Sequence, residues 1–145
     1  MKKIILFAFL LPLALACSDD NSEKGDQNEV INIASSGTWK ITYFFDTDTD
    51  ETSDFTGFNF TFGTSNVLTA SNGTTVHTGT WSVSDSNSND DSVDDLHFNI
   101  EFASPATFEE LSDDWHVIEY ASTKIKLIDE SGGNGGTDYL TFEKN

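Results

Sequence analysis

Residues 96–102 read Leu96-His97-Phe98-Asn99-Ile100-Glu101-Phe102, with a large apolar side chain at every second position and polar ones between. A period of two sends successive side chains to opposite faces, so this is a strand with one face in a core and the other in water. Working outward, the same alternation recurs. Upstream, Trp39, Ile41, Tyr43 and Phe45 share one face while Thr38, Lys40, Thr42 and Phe44 share the other, and Phe58, Phe60 and Phe62 alternate with Asn59 and Thr61. A short run at 67–70 comes next, then Asn72-Gly73, a strong tight-turn signal, before a run at 75–83. Downstream runs at 115–121, 123–129 and 138–143 complete eight strands. Mostly short connections favour an all-β, eight-stranded antiparallel up-and-down barrel, because closure removes the exposed edges of an open sheet. A two-sheet β-sandwich is the alternative. One segment departs from the pattern: Ser104-Pro105 followed by Glu109-Glu110 predicts a short helix between strands 5 and 6.

A chain of 145 residues accommodates one domain. Its 25 Asp and Glu stand against 7 basic residues, every one a lysine, for a net charge of -18. Nucleic-acid binding requires cations against phosphates, so that partner class is excluded.

The chain opens with Lys2 and Lys3, an apolar run over 4–11 and small residues up to Ala16. Basic start, short apolar centre and small-residue end describe a secretory signal, and the apolar run falls short of the ~20 residues of a membrane-spanning helix. The lone cysteine, Cys17, has no partner for an internal disulfide. Leu13-Ala14-Leu15-Ala16-Cys17 resembles a bacterial lipobox, which implies cleavage after residue 16 and lipidation of Cys17. Ser18-Asp19-Asp20 resembles the acidic export signal of Bacteroidota surface lipoproteins, implying an outer-membrane, lipid-anchored and surface-exposed protein. The expected organisation is a signal peptide at 1–16, a lipidated cysteine with an acidic flexible tether at 17–36, and the barrel at 37–145. Loss of Lys2 and Lys3 would leave 5 lysines against 25 acids, a net of -20, so membrane contact is expected through the lipid alone.

Gly37-Thr38-Trp39 at the first strand resembles the Gly-x-Trp opening of lipocalin and calycin barrels. With Gly79-Thr80-Trp81-Ser82-Val83, Phe108-Glu109-Glu110-Leu111 and the glycine-rich 132–138 segment, the domain is similar to small lipocalin-like lipoproteins of flavobacteria, generally of unassigned function. In lipocalins an arginine of the last strand covers the opening Trp, and the resemblance puts Lys144 over Trp39 in that place as a cation-π partner.

An eight-stranded barrel lies near the size at which its interior is either filled by side chains or holds one small molecule. Trp39, Tyr43, Phe58, Phe60, Phe98, Phe102 and Trp115 line such a cavity or form a packed core. The acidic rim and missing arginines would favour a neutral or cationic apolar ligand. In an up-and-down barrel the odd-numbered connections, 46–56, the Asn72-Gly73 turn, 103–114 and 130–137, share one end, where a cavity would open. Asp46, Asp48, Asp50 and Asp54 offer alternating carboxylates to Ca2+, although Glu51 and Gly57 stand where a calcium loop of the EF-hand type needs Gly and Glu, and a solvated acidic loop competes with that reading. Asp91-Ser92-Val93 resembles a Bacteroidota O-glycosylation sequon at Ser92. His77, His97 and His116 fall on different strands without a metal-binding motif, and no nucleophile or phosphate-loop motif is present, so no enzyme is expected. The expected function is a monomeric, non-enzymatic small-molecule binding or accessory module; the alternative is a closed-core module binding a surface protein or glycan.

Overall fold

The computed structural model describes residues 27–86, 95–130 and 135–145. Cys17, Ser18, Asp19, Asp20 and Ser92 lie outside the described residues. Helix α1 (Gln27–Ala34) precedes strands β1 (Trp39–Asp46), β2 (Thr49–Asp50), β3 (Asn59–Phe62), β4 (Val67–Ser71), β5 (Val76–Asp85) and β6 (Leu96–Glu101). Helix α2 (Ala106–Glu109) then leads to β7 (Asp113–Ala121), β8 (Lys124–Asp129) and β9 (Asp138–Lys144).

From β3 onward each strand pairs antiparallel with the next in sequence, and β9 returns to β1 through Trp39↔Lys144, Lys40↔Glu143 and Ile41↔Phe142. The sheet is therefore a closed eight-stranded barrel, which removes the sandwich alternative. The two-residue β2 stands outside the eight and pairs with the end of β1 through Phe45↔Asp50. The seam between β1 and β3 is short, with Trp39↔Phe60 as its register pair. Beyond that pair a 3-10 turn at Thr52–Phe55 covers the β1 edge. Phe44 N–H donates to Thr52 Oγ1 at 2.8 Å and Glu51 N–H to the Phe44 carbonyl at 3.0 Å, so the backbone groups of Phe44 are satisfied by the loop instead of a strand.

Aromatic rings fill the interior. Phe60 meets Phe142 at 5.5 Å between centroids, Phe62 meets Phe98 at 5.2 Å, and Phe44 meets Trp115 at 6.4 Å, each edge to face. Strand β1 does not keep the alternation expected for it. A register shift between Ile41 and Tyr43 inserts one extra residue against β9 and reverses the facing of the later residues of the strand. Tyr43 is consequently 40% exposed while Phe44 is buried. A second shift, between Val117 and Glu119 on β7, puts Glu119 outward after the outward Ile118, where strict alternation would have turned it inward.

The flexible tether expected at 17–36 does not extend to residue 36. Residues 27–34 form α1, whose Val30 and Ala34 are fully buried in the barrel core and whose Ile31 and Ile33 pack against it. Apolar residues four apart fall on one helix face, and that face closes the barrel end opposite α2. Gln27 Nε2 donates to the Val83 carbonyl at 2.7 Å, and Trp39 Nε1 donates to the Ala34 carbonyl at 2.8 Å, tying the helix to β5 and β1. Among the described residues no helix is long and apolar enough to cross a membrane.

Candidate functional site

Five of the seven residues expected to line a cavity, Trp39, Phe60, Phe98, Phe102 and Trp115, point inward and are buried. Tyr43 does not, because of the β1 bulge, and Phe58 is half-buried at the barrel end, against His77 and Phe108. The cavity mouth expected at the odd-numbered connections is occupied. Phe108 of α2 stands 5.3 Å from Phe55, 5.2 Å from Phe102, 5.1 Å from Phe58 and 4.4 Å from the His77 ring. Phe62 is buried on the face where alternation placed it with Phe60, whereas Phe44, Phe55 and Phe108 are core residues that alternation did not place inward; Phe55 and Phe108 come from loop and helix, where a period of two carries no information.

The connections do share that end. Asp138 Oδ1 accepts from Thr47 N–H at 2.6 Å, joining the first and last, and the Glu51 carboxyl lies beside Glu110. Burial pushes Glu51 up to about 7, with Glu110, Asp46 and Asp54 adding to the rise, and its Oε2 is enclosed without a hydrogen-bond partner. The four calcium candidates do not converge. Asp50 Oδ1 accepts from Thr52 N–H at 3.0 Å, which with the Thr52 side chain holds its carboxyl below the usual range, and Asp48 Oδ1 accepts from Thr49 Oγ1 at 2.9 Å. Among the described residues no group of three or more His, Cys, Asp or Glu is arranged to hold a metal ion.

Lys144 Nζ lies 5.0 Å from the centre of the Trp39 ring and donates to Ser36 Oγ at 2.8 Å. The cation expected over Trp39 is therefore in place, at the foot of α1.

The concavities described lie outside the barrel. A groove of about 490 Å3 runs across the outer surface of β5, β6 and β7, lined by Asn66, Ser82, Asn99, Glu101 and Asp113 around Trp81 and Ile100. A second section of about 280 Å3 shares Asn66, Trp81 and Ser82 and continues to Ile31 of α1. Its shape comes from the turn at 64–66, where Ser65 and Asn66 both adopt left-handed backbone angles, a conformation that Asn tolerates better than most residues. Asn66 Nδ2 donates to the Trp81 carbonyl at 2.9 Å and Trp81 Nε1 to the Gly63 carbonyl at 2.9 Å, which fixes both. Asn99 Nδ2 donates to Ser82 Oγ at 3.1 Å and to Ser84 Oγ at 3.2 Å. At the far rim, burial raises the Asp113 carboxyl above its ordinary value and the charges of Asp129 and Asp114 add to this, against a hydrogen bond from Asp114 N–H. The lining offers amides, hydroxyls and carboxylates but no lysine. Residue spacing gave no signal for this groove, since its members come from four separate segments.

No family model matches the chain, and no curated protein matches it. A solved structure with the same architecture is that of a DUF4847 family protein from Bacteroides vulgatus ATCC 8482, at 19% identity and a TM-score of 0.50, covering 80% of this chain and 97% of that one. The likeness is one of fold.

Proposed function

We propose that this protein is a non-enzymatic, closed-core binding module, lipid-anchored through Cys17 at the outer membrane and displayed at the surface by Ser18-Asp19-Asp20, that recognises a neutral glycan in the outer groove across β5–β7. Small-molecule carriage inside the barrel is the weaker reading, because aromatic rings occupy the interior and both barrel ends are covered by helices. The observation that carries the proposal is the pairing of that packed interior with a groove of about 490 Å3 outside it. Its hydroxyls, amides and carboxylates suit a hydroxyl-rich ligand, which needs both donors and acceptors. The absence of lysine from the groove and the net charge of -18 disfavour anionic ligands.

Titration of neutral oligosaccharides against tryptophan fluorescence tests this reading, since Trp81 lies in the groove. Saturable quenching that is lost in Asn99→Ala is the expected result. Equal binding by the parent and Asn99→Ala, or no binding across a broad panel of neutral glycans, would contradict it. Cys17→Ser is expected to move the protein from the membrane to the soluble fraction; retention at the membrane would remove the anchor from the account.

A further inference from the structure

The register of β6 and β7 brings together two histidines that lie 19 positions apart in sequence. His97 and His116 are directly opposite one another across the strand pair. Both alternate with inward-facing neighbours, Leu96 and Phe98 on one strand and Trp115 and Val117 on the other, so both rings stand on the outer face. The ring centroids are 4.4 Å apart with planes at 49°. Asp114, diagonal to His97, places Oδ2 at 3.7 Å from His97 Nδ1. The rings are not buried among the core aromatics, and neither serves the closure of the barrel.

We propose that His97 and His116 together bind one divalent transition-metal ion, Zn2+, Ni2+ or Cu2+, on the outer face of the barrel, with Asp114 positioning His97. Imidazole suits these ions, whereas hard cations such as Ca2+ want oxygen ligands. Two imidazoles at neighbouring positions of one ion, each bound at ~2.0–2.1 Å through nitrogen, have centres at roughly the separation seen here. The backbone supplies the preorganisation, because both residues lie within hydrogen-bonded strands of a closed sheet instead of on a loop. A carboxylate near one nitrogen of a ligating histidine favours the proton on that nitrogen and orients the ring. With Asp114 facing Nδ1 of His97, Nε2 is the nitrogen left to the metal. His116 also lines a groove with Glu130. Two protein nitrogens leave the remaining coordination positions to water, so the ion is exchangeable and open to a further ligand.

The test is calorimetric titration of Ni2+ into the full chain, carrying Cys17→Ser in every sample so that the thiol does not compete. One equivalent is expected to bind, and a large excess of Ca2+ should not displace it. His97→Ala and His116→Ala should each weaken binding at least ~10-fold, and Asp114→Asn by ~10-fold or more, as outer carboxylates typically do. Unchanged stoichiometric binding in the double His97→Ala/His116→Ala variant, ready displacement by Ca2+, or no Ni2+ binding by the parent would overturn the proposal. A second measurement needs no mutation of the site. In an NMR spectrum, substoichiometric Ni2+ should broaden the ring signals of His97 and His116 while those of His77, packed against Phe108 at the barrel end, stay sharp. Equal broadening of all three, or of His77 alone, would also overturn it.

Discussion

Glu51 shows how one side chain can set the pH response of this fold. Its carboxyl is raised to about 7 by burial, with Glu110 beside it, and Asp113 is raised by burial too. A raised carboxyl means that the folded protein binds more protons than the unfolded chain, whose Glu titrates near ~4.3. The stabilising effect of that proton is fully present below the unfolded value and is lost as pH rises through about 7. Thermal melts should therefore show a lower Tm at pH 8 than at pH 5.5, and Glu51→Gln should remove much of the difference. A parent Tm that is flat over this range, or a Gln variant with an undiminished slope, would contradict the assignment. Glu51 and Glu110 were legible separately as members of two acidic loops at one barrel end. Their contact was not, because loop conformation has no fixed period. Trp39 is a contrasting residue: Gly-x-Trp announced it at the first strand, but its indole N–H bond to the Ala34 carbonyl depends on α1, which strand periodicity does not reveal. Trp39→Phe removes that donor and leaves a buried carbonyl unpaired, at a cost of about 1–3 kcal/mol in denaturant unfolding. No measurable loss would mean that α1 is held by its apolar face and the Gln27 bond to Val83 without help from Trp39.

At the scale of elements, Ser104-Pro105 and the paired acids located the short helix before β7, and alternation located eight strands, because half-buried strands must repeat their polarity every two residues. It failed within β1, where the bulge between Ile41 and Tyr43 adds a residue without leaving a polarity signature of its own. It also missed α1, whose eight residues follow no period of two, although Val30 and Ala34 at i and i+4 were the available signal. The strands impose their own close approaches. A Cβ added at Gly79 would lie 2.3 Å from the Glu101 carbonyl oxygen and 2.8 Å from Phe102 Cδ1. The carbonyl belongs to a neighbouring strand and cannot move aside cheaply, so Gly79→Ala should cost upwards of about 1–3 kcal/mol, as overpacked sites do. A variant melting with the parent would show that β5 and β6 are farther apart than described. Helix α2 acts through Phe108, whose ring touches Phe55, Phe58, Phe60, Phe102 and His77. Phe108→Ala should destabilise by about 3–5 kcal/mol and open an apolar space at that end. An environment-sensitive apolar dye should bind this variant and ignore the parent.

For the whole molecule, the choice that the sequence left open was between a barrel that holds something and one that is full. The same aromatic residues suit either, because composition and alternation specify which side chains face inward without specifying what lies between them. Phe55 and Phe108 close one end and α1 the other, which is why the recognition proposed above is placed in the outer groove. The chain is strongly acidic, with a net charge of -18, and the proposal sets it on a lipid anchor. Acidity suits an exposed module that must stay clear of anionic headgroups. The measurement that bears most directly on the filled barrel is a native mass spectrum of the protein purified gently from its own host. The account predicts a mass equal to polypeptide plus anchor and any bound metal, with no stoichiometric apolar molecule retained. A stoichiometric apolar adduct that survives desalting and is released only on unfolding would contradict it, and would make the protein a carrier.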